Sequence, residues 1–176
     1  MRFRMKTSNA KFLNKLTLIT AVAVAAGTGV SAQAAGSATS DLSVSTNVAA
    51  NCLISTTALA FGTYDPVDIN KSDDLTSNSS GAVKVTCTTG STATVALDNG
   101  LYYGTTTRRM KDSSTNYLSY ELYSDSVGGT KWDSTNTVDV TGDGSEKTLT
   151  VYGSVAKDQN VPVGTYNDTV VATVTF

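Results

Sequence analysis

The 176-residue chain contains no histidine, which removes the Ser-His-Asp triad, the Cys-His pair and the imidazole metal ligand together. What remains able to do chemistry is two cysteines, Cys52 and Cys87, and 15 carboxylates. Paired carboxylates can hydrolyse glycosides, but these acids are scattered over turn-like segments and no pair stands out. The run Asp139-Val140-Thr141-Gly142-Asp143-Gly144 is faintly like an acidic calcium loop. It lacks the EF-hand spacing and the terminal glutamate, and reads as a plain turn. There is no Walker or Rossmann glycine motif. Asn70, Asn78 and Asn167 head Asn-x-Ser/Thr triplets, which matter only in a eukaryotic secretory route. Asp73-Asp74 and Arg108-Arg109 read as solvated faces. Neither a metal nor a cofactor is expected, and the residues point away from catalysis.

The two cysteines take their meaning from where the chain goes. Arg2, Arg4, Lys6, Lys11 and Lys15 form a basic start, followed by an apolar run from Leu16 through Val30 and the small-x-small triplet Ala32-Gln33-Ala34. That order is a signal peptide, residues 1–34, cleaved after Ala34. Interrupted by Thr17, Thr20, Gly27, Thr28 and Gly29, the run falls short of the roughly 20 strongly apolar residues of a membrane span. The alternative, a permanent N-terminal anchor, is disfavoured by the cleavage pattern. No stable membrane insertion is therefore expected once the leader is gone. An exported chain meets an oxidising compartment, where an even pair of thiols forms a disulfide. Cys52 and Cys87 are expected to be bridged; a metal or redox pair would want CxxC spacing or histidine.

Removing 34 of 176 residues leaves 142, one ordinary domain. Five of the 13 basic residues leave with the leader, so 8 Lys plus Arg face 15 Asp plus Glu. Without basic clusters, such a surface excludes nucleic acid, whose binding depends on neutralising phosphates. It suits an exported particle that resists unspecific association.

The elements that must position these residues are strands. The chain is rich in Thr, Val, Ser, Tyr and Gly, has only two prolines, Pro66 and Pro162, and sustains no helical periodicity. Period-two alternation recurs over Ala82 to Cys87, Thr92 to Leu97, Tyr117 to Tyr123, Leu149 to Val155 and Thr169 to Phe176. Turn signals separate these runs: Asn78-Ser79-Ser80-Gly81, Asp98-Asn99-Gly100, Val127-Gly128-Gly129 and Thr141-Gly142-Asp143-Gly144. Short strands broken this way predict an all-β sandwich or barrel. Ahead of the first cysteine, Ser40 to Ala50 reads as a strand with Leu42, Val44, Thr46 and Val48 on one face and Asp41, Ser43, Ser45 and Asn47 on the other. At the far end Val170, Ala172, Val174 and Phe176 share a face of the closing strand. An apolar strand edge of this kind is a liability unless another chain pairs with it.

Three groups of residues carry a resemblance to a known family. The first is Tyr152-Gly153 followed by Val161-Pro162-Val163-Gly164-Thr165-Tyr166-Asn167-Asp168-Thr169 and the closing strand. The second is Leu59-Ala60-Phe61-Gly62-Thr63-Tyr64-Asp65-Pro66. The third is Arg109-Met110 with Leu118-Ser119-Tyr120-Glu121-Leu122-Tyr123 and Trp132-Asp133. With the Cys52 and Cys87 spacing they cover essentially residues 35–176, which resembles the spore coat U domain proteins, among them the subunits of archaic chaperone-usher pili. None of the motifs is catalytic. Gly62 permits a tight turn beside Phe61 and Tyr64, and Tyr166 packs back on the core with Asp168 placed to satisfy backbone amides.

The resemblance implies an incomplete immunoglobulin-like β-sandwich, residues 51–176, completed by donor-strand exchange. Residues 35–50 would be the N-terminal donor-strand segment, with Leu42, Val44, Thr46 and Val48 entering a neighbour. Val170, Ala172, Val174 and Phe176 would form the C-terminal strand facing the chaperone or the donor. The implied partners are a periplasmic pilus chaperone, an outer-membrane usher and neighbouring copies of the same or related subunits. The implied location is the cell surface, reached through the periplasm. The expected function is a structural subunit of a surface pilus used in adhesion or biofilm growth. The alternatives are a secreted spore-coat or cell-coat protein of the same fold, and a small exported enzyme or lectin on a sandwich scaffold.

Overall fold

The computed structural model describes residues 35–77 and 81–176. The expected signal peptide, residues 1–34, lies outside the described residues, as do Asn78, Ser79 and Ser80. The chain divides into two compact units, Met1–Val44 and Ser45–Phe176. In the described part of the first unit, residues 35–44, there is no helix or strand and every residue is exposed. No helix among the described residues is long and apolar enough to cross a membrane.

Among the described residues the second unit is all-β apart from one short helix, α1 (Ile69–Ser72). Its strands are β1 (Cys52–Thr57), β2 (Leu75–Thr76), β3 (Gly81–Cys87), β4 (Thr92–Leu97), β5 (Arg108–Lys111), β6 (Tyr117–Tyr123), β7 (Val138–Thr141), β8 (Glu146–Val155) and β9 (Ala172–Thr175). One sheet runs β1-β3-β8-β6-β5 with β2 also on β8, and the other runs β7-β4-β9. All strand pairings are antiparallel. The predicted sandwich of short alternating strands is therefore what the chain forms.

Alternation decides the core because successive side chains of a strand point to opposite faces. Val83, Val85 and Cys87 of β3, Leu118, Tyr120 and Leu122 of β6, and Val151 and Val155 of β8 face Ala93, Val95 and Leu97 of β4 and Val140 of β7, all buried. Trp132 is fully buried between the sheets. Its indole N–H donates to the Val95 carbonyl of one sheet at 2.9 Å, and its backbone N–H donates to the Leu122 carbonyl of the other at 2.9 Å. A buried indole that finds an acceptor keeps its large apolar area without leaving a donor unpaired.

Arg108 corrects the reading of Arg108-Arg109 as a solvated pair. It is only 2% exposed. Its Nε and Nη2 donate to the Asp98 carbonyl at 2.9 and 2.7 Å, and Nη2 also donates to the Trp132 carbonyl at 2.7 Å. Glu121 stands 3.8 Å from Nη1 as counter-charge. A buried guanidinium is tolerable only with such partners. Asn70 is likewise buried. Its side-chain oxygen accepts from the Asp65 amide, and its side-chain nitrogen donates to the Asp73 carbonyl. The side chain that heads that Asn-x-Ser triplet braces α1 and its flanking turns, with its amide buried.

Cys52 and Cys87 are disulfide-bonded and sit opposite each other in the β1–β3 register. The bond closes a loop spanning 35 residues. On the chain-entropy account this removes roughly 3 to 4 kcal/mol of unfolded-state freedom.

Candidate functional site: an open groove between two strand edges

The sandwich has a seam. β1 pairs only with β3, and β9 pairs only with β4, so each ends its sheet with one edge unladdered among the described residues. The opposite edge of the larger sheet is treated differently. There Lys111 of β5 exchanges backbone hydrogen bonds with Asn167 at 2.9 and 3.0 Å, which covers the end of that strand.

Between the β1 and β9 edges lies a cleft of about 340 Å³. Thr56, Thr57 and Leu59 form one wall, and Val170 and Ala172 the other. Val83, Leu97, Leu122 and Val151 make its floor. Phe61, Met110 and Tyr166 stand at one end, beyond which a second cleft of mixed lining continues under Tyr64, Val161 and Pro162. Phe61 reaches this place because β8 carries no side chain at Gly153, where a Cβ would come within 2.7 Å of the Phe61 ring. Its ring then packs edge-on against Tyr120 at 5.9 Å.

Asp168 is the one carboxylate lining this cleft, and its oxygens are already engaged. Oδ1 accepts from the Leu101 and Thr169 amides at 2.9 and 2.8 Å, and Oδ2 accepts from the Tyr120 hydroxyl at 2.7 Å. Asp98 completes the fixation, its Oδ1 accepting from the Val171 amide at 2.9 Å while its own amide donates to the Val171 carbonyl. The start of β9 is thus pinned on one side and leaves its other edge open. A groove with an apolar floor, unladdered backbone edges and no uncommitted carboxylate has the geometry that strand addition uses.

The residues singled out from the sequence fall as follows. Val170, Ala172 and Val174 are half-buried against the core, and alternate with exposed Val171, Thr173 and Thr175. Phe176 is 54% exposed and lies in a separate shallow cleft beside Thr94 and Val140. Ser40 to Ala50 forms no strand, which corrects the expectation that it would be one within the chain. A strand exists by its ladder, and no backbone ladder engages these residues. In the first unit Leu42 and Val44 are 87% and 86% exposed, and in the second Val48 is 77% exposed and Thr46 exposed. Asn51 is the first residue held, its carbonyl accepting from the Thr88 amide at 2.9 Å and its amide donating to Thr88 Oγ1 at 3.1 Å. The groove wall on β1 and the floor on β3, β4, β6 and β8 are candidate positions that sequence reasoning missed. Exposed Thr residues after the Cys52 anchor were the only local sign of an edge.

The ionisable groups bracket the stability of this unit. Asp112, Asp125, Asp133, Asp143 and Asp158 are all held below the ordinary carboxylate range. Asp112 is held chiefly by the Asn116 side chain, Asp125 by the Thr130 amide and Asp133 by the Asn136 amide. Lysine hydrogen bonds do the same for Asp143 (Lys147) and Asp158 (Lys71). A lowered folded pKa contributes stability above the unfolded value of about 4, lost as pH falls through the folded values. Burial first, and then the bond to Asp168, push the Tyr120 phenol well above the ordinary tyrosine range. A raised folded pKa contributes stability below the unfolded value of about 10, lost as pH rises past it. With no histidine in the chain, the thermal midpoint should stay flat between about pH 5 and 9 and fall on both sides. A midpoint that slopes through pH 6 to 7 in a thermal-melt series would contradict this assignment.

A family model of the Spore Coat Protein U domain matches residues 38–173. Protein U of Myxococcus xanthus is 42% identical over 174 residues, spanning 91% of this chain and 97% of that protein. Among solved structures, the fold is shared with a chain of the CsuC–CsuE chaperone–tip adhesion subunit pre-assembly complex from archaic chaperone-usher Csu pili of Acinetobacter baumannii. The match has a TM-score of 0.53 at 22% identity and covers 73% of this chain and 40% of that one. A likeness at that identity speaks for the immunoglobulin-like sandwich fold, whereas the family match and the 42% relative speak for descent. The chain belongs to the Spore Coat Protein U domain family.

Proposed function

We propose that this protein is a structural subunit of a surface assembly, polymerising by strand addition. The donor-strand segment 35–50 of one copy lies in the β1–β9 groove of the next. The observation that carries this reading is the groove itself: two unladdered edges over a floor of Val83, Leu97, Leu122 and Val151. It is supported by an exposed segment whose apolar residues repeat every second position from Leu42 to Val48. In strand addition, main-chain hydrogen bonds supply affinity and alternate side chains supply register. Before assembly, the groove must be shielded, and a periplasmic chaperone is the partner of that kind; an outer-membrane usher would then pass the subunit to the surface. The chaperone complex among its structural neighbours fits this route. Adhesion and biofilm growth are the uses proposed for the fibre. The catalytic alternative has no residue to rest on in this groove.

A copy lacking residues 35–50 tests the reading. It keeps the groove and loses the donor, so it should accept a neighbour's segment and then end the chain. Adding it in excess to full-length protein should shorten the heat-stable ladder of oligomers to its first rungs. An unchanged ladder would overturn the assignment of 35–50 as donor. The description of the matched family favours a second reading, a spore or cell coat built from the same subunit contact. Electron microscopy of labelled cells separates the two, showing filaments in the first case and a continuous layer in the second.

A further inference from the structure

The segment read as donor joins directly onto a wall of the groove in its own chain. Only Ala49, Ala50 and Asn51 separate Val48 from the first residue of β1. A donor tethered so close to an open groove could close it in cis and end polymerisation before it began. The register of β1 decides whether that happens. In the β1–β3 ladder Cys52, Ile54 and Thr56 stand opposite Cys87, Val85 and Val83. Those three are buried, so Cys52, Ile54 and Thr56 share the inward face of β1, and Leu53, 68% exposed, marks the outward one.

Facing residues of antiparallel strands lie on the same side of the sheet. The commonest hairpin, with a two-residue turn, would use Ala49-Ala50 and set Val48 opposite Asn51. Asn47 would then fall opposite Cys52, Ser45 opposite Ile54 and Ser43 opposite Thr56. That register delivers the polar face of the segment to the core and turns Leu42, Val44, Thr46 and Val48 outward, the inversion that a one-residue slip produces. A three-residue loop would restore the faces, but its third residue takes the left-handed conformation. That residue would be Ala50 or Asn51. Among the described residues Asp158 alone, glycines aside, has a positive φ. Asn51 is also committed to Thr88 through both its backbone groups. Longer loops consume Val48 and Thr46 themselves. Nor can the segment lie parallel to β1: the three steps from Asn51 back to Val48 span at most about 11 Å, whereas β1 has six residues and is about 20 Å long.

We infer that the junction from Val48 to Cys52 keeps the subunit from closing its own groove, and so reserves the groove for the segment of a second copy. The length and turn chemistry of three residues do this, by putting the apolar face of the segment out of phase with the inward face of β1. A segment arriving from another molecule is under neither constraint and can slide to the register that buries Leu42, Val44, Thr46 and Val48. The inference rests on the reading of residues 35–50 as donor.

Two variants of the full chain, given the same Asn-Gly turn in registers one residue apart, test this. The first, Ala49→Asn with Ala50→Gly, favours the hairpin but keeps the polar face inward. The second, Val48→Asn and Ala49→Gly with Ala50 deleted, sets Asn47 opposite Asn51, so that Thr46 meets Cys52, Val44 meets Ile54 and Leu42 meets Thr56. The first should form the heat-stable ladder as wild type does. The second should be a monodisperse monomer without a ladder, melting about 5 °C or more above the copy that lacks residues 35–50 and has an empty groove. With its own groove filled, the second variant in excess should leave the wild-type ladder unchanged, where the copy lacking 35–50 shortens it. A second variant that polymerises, aggregates or shortens the wild-type ladder, or a first variant that is monomeric, would overturn the inference while leaving the donor reading in place. A copy lacking 35–50 that fails to shorten the ladder would overturn the donor reading, and the inference with it.

Discussion

Replacing Val44 by Asp should abolish fibre formation, while Ser45→Asp, one residue along, should leave it intact. The division follows from period two: Leu42, Val44, Thr46 and Val48 turn to one side of an extended chain and Ser43, Ser45 and Asn47 to the other. Burying a valine contributes on the order of 1.5 to 3 kcal/mol, and the aspartate both forfeits this and places an unpaired charge over an apolar floor. Because Val44 is 86% exposed in the single chain, the substitution should cost the monomer nothing. Its thermal midpoint should match wild type, so a loss of oligomers cannot be ascribed to misfolding. Equal ladders from Val44→Asp and Ser45→Asp would remove the segment from the proposed contact.

The largest effect on the subunit itself should come from Trp132→Ala. The side chain is wholly buried and its indole N–H holds the Val95 carbonyl of one sheet, while the Trp132 backbone N–H, kept in the variant, holds the Leu122 carbonyl of the other. Truncation opens a cavity and leaves the Val95 carbonyl without its indole donor. Such changes cost about 3 to 5 kcal/mol. Since whole domains are stable by only about 5 to 15 kcal/mol, and this sandwich has an open seam, denaturant unfolding should show most of the stability gone. A denaturant midpoint close to that of wild type would mean that the intersheet tie is not what holds the layers.

Local patterns were legible in the sequence, and contacts made across the chain were not. β3, β4, β6 and β8 announce themselves by alternation because one of their faces is buried, and the donor-like run from Leu42 to Val48 shows the same period. β1, with Leu53 68% exposed beside Ile54, is an edge strand whose outward face blurs that signal. β5 is four residues of Arg-Arg-Met-Lys, which polarity alone assigns to solvent. Its first arginine is buried because the Asp98 and Trp132 carbonyls converge on it from elsewhere in the chain. The motif around Asp168 was correctly read as satisfying amides, yet its tie to Tyr120, 48 positions away, follows only from the fold. The groove is the extreme case: Thr56, Leu97, Leu122, Val151 and Ala172 come together from five strands and their flanks. No spacing along the sequence encodes that meeting.

Site-directed cross-linking between copies tests the central claim most directly. One copy carries Val44→Cys and the other Ala172→Cys, on the half-buried face of the β9 edge, with the native cysteines already paired. Facing positions on adjacent antiparallel strands bring Cα atoms to about 4.5 to 5.5 Å, within the Cα span of a disulfide, somewhere along the register. Pairing Leu42, Val44 and Val48 in turn with Val170, Ala172 and Val174 locates it. The account predicts an intermolecular bond for an inward-facing pair and none when Ser43→Cys or Ser45→Cys replaces the donor position. Cross-links of equal yield from both faces of the segment, or fibres that form with no cross-link at any of these pairs, would contradict it.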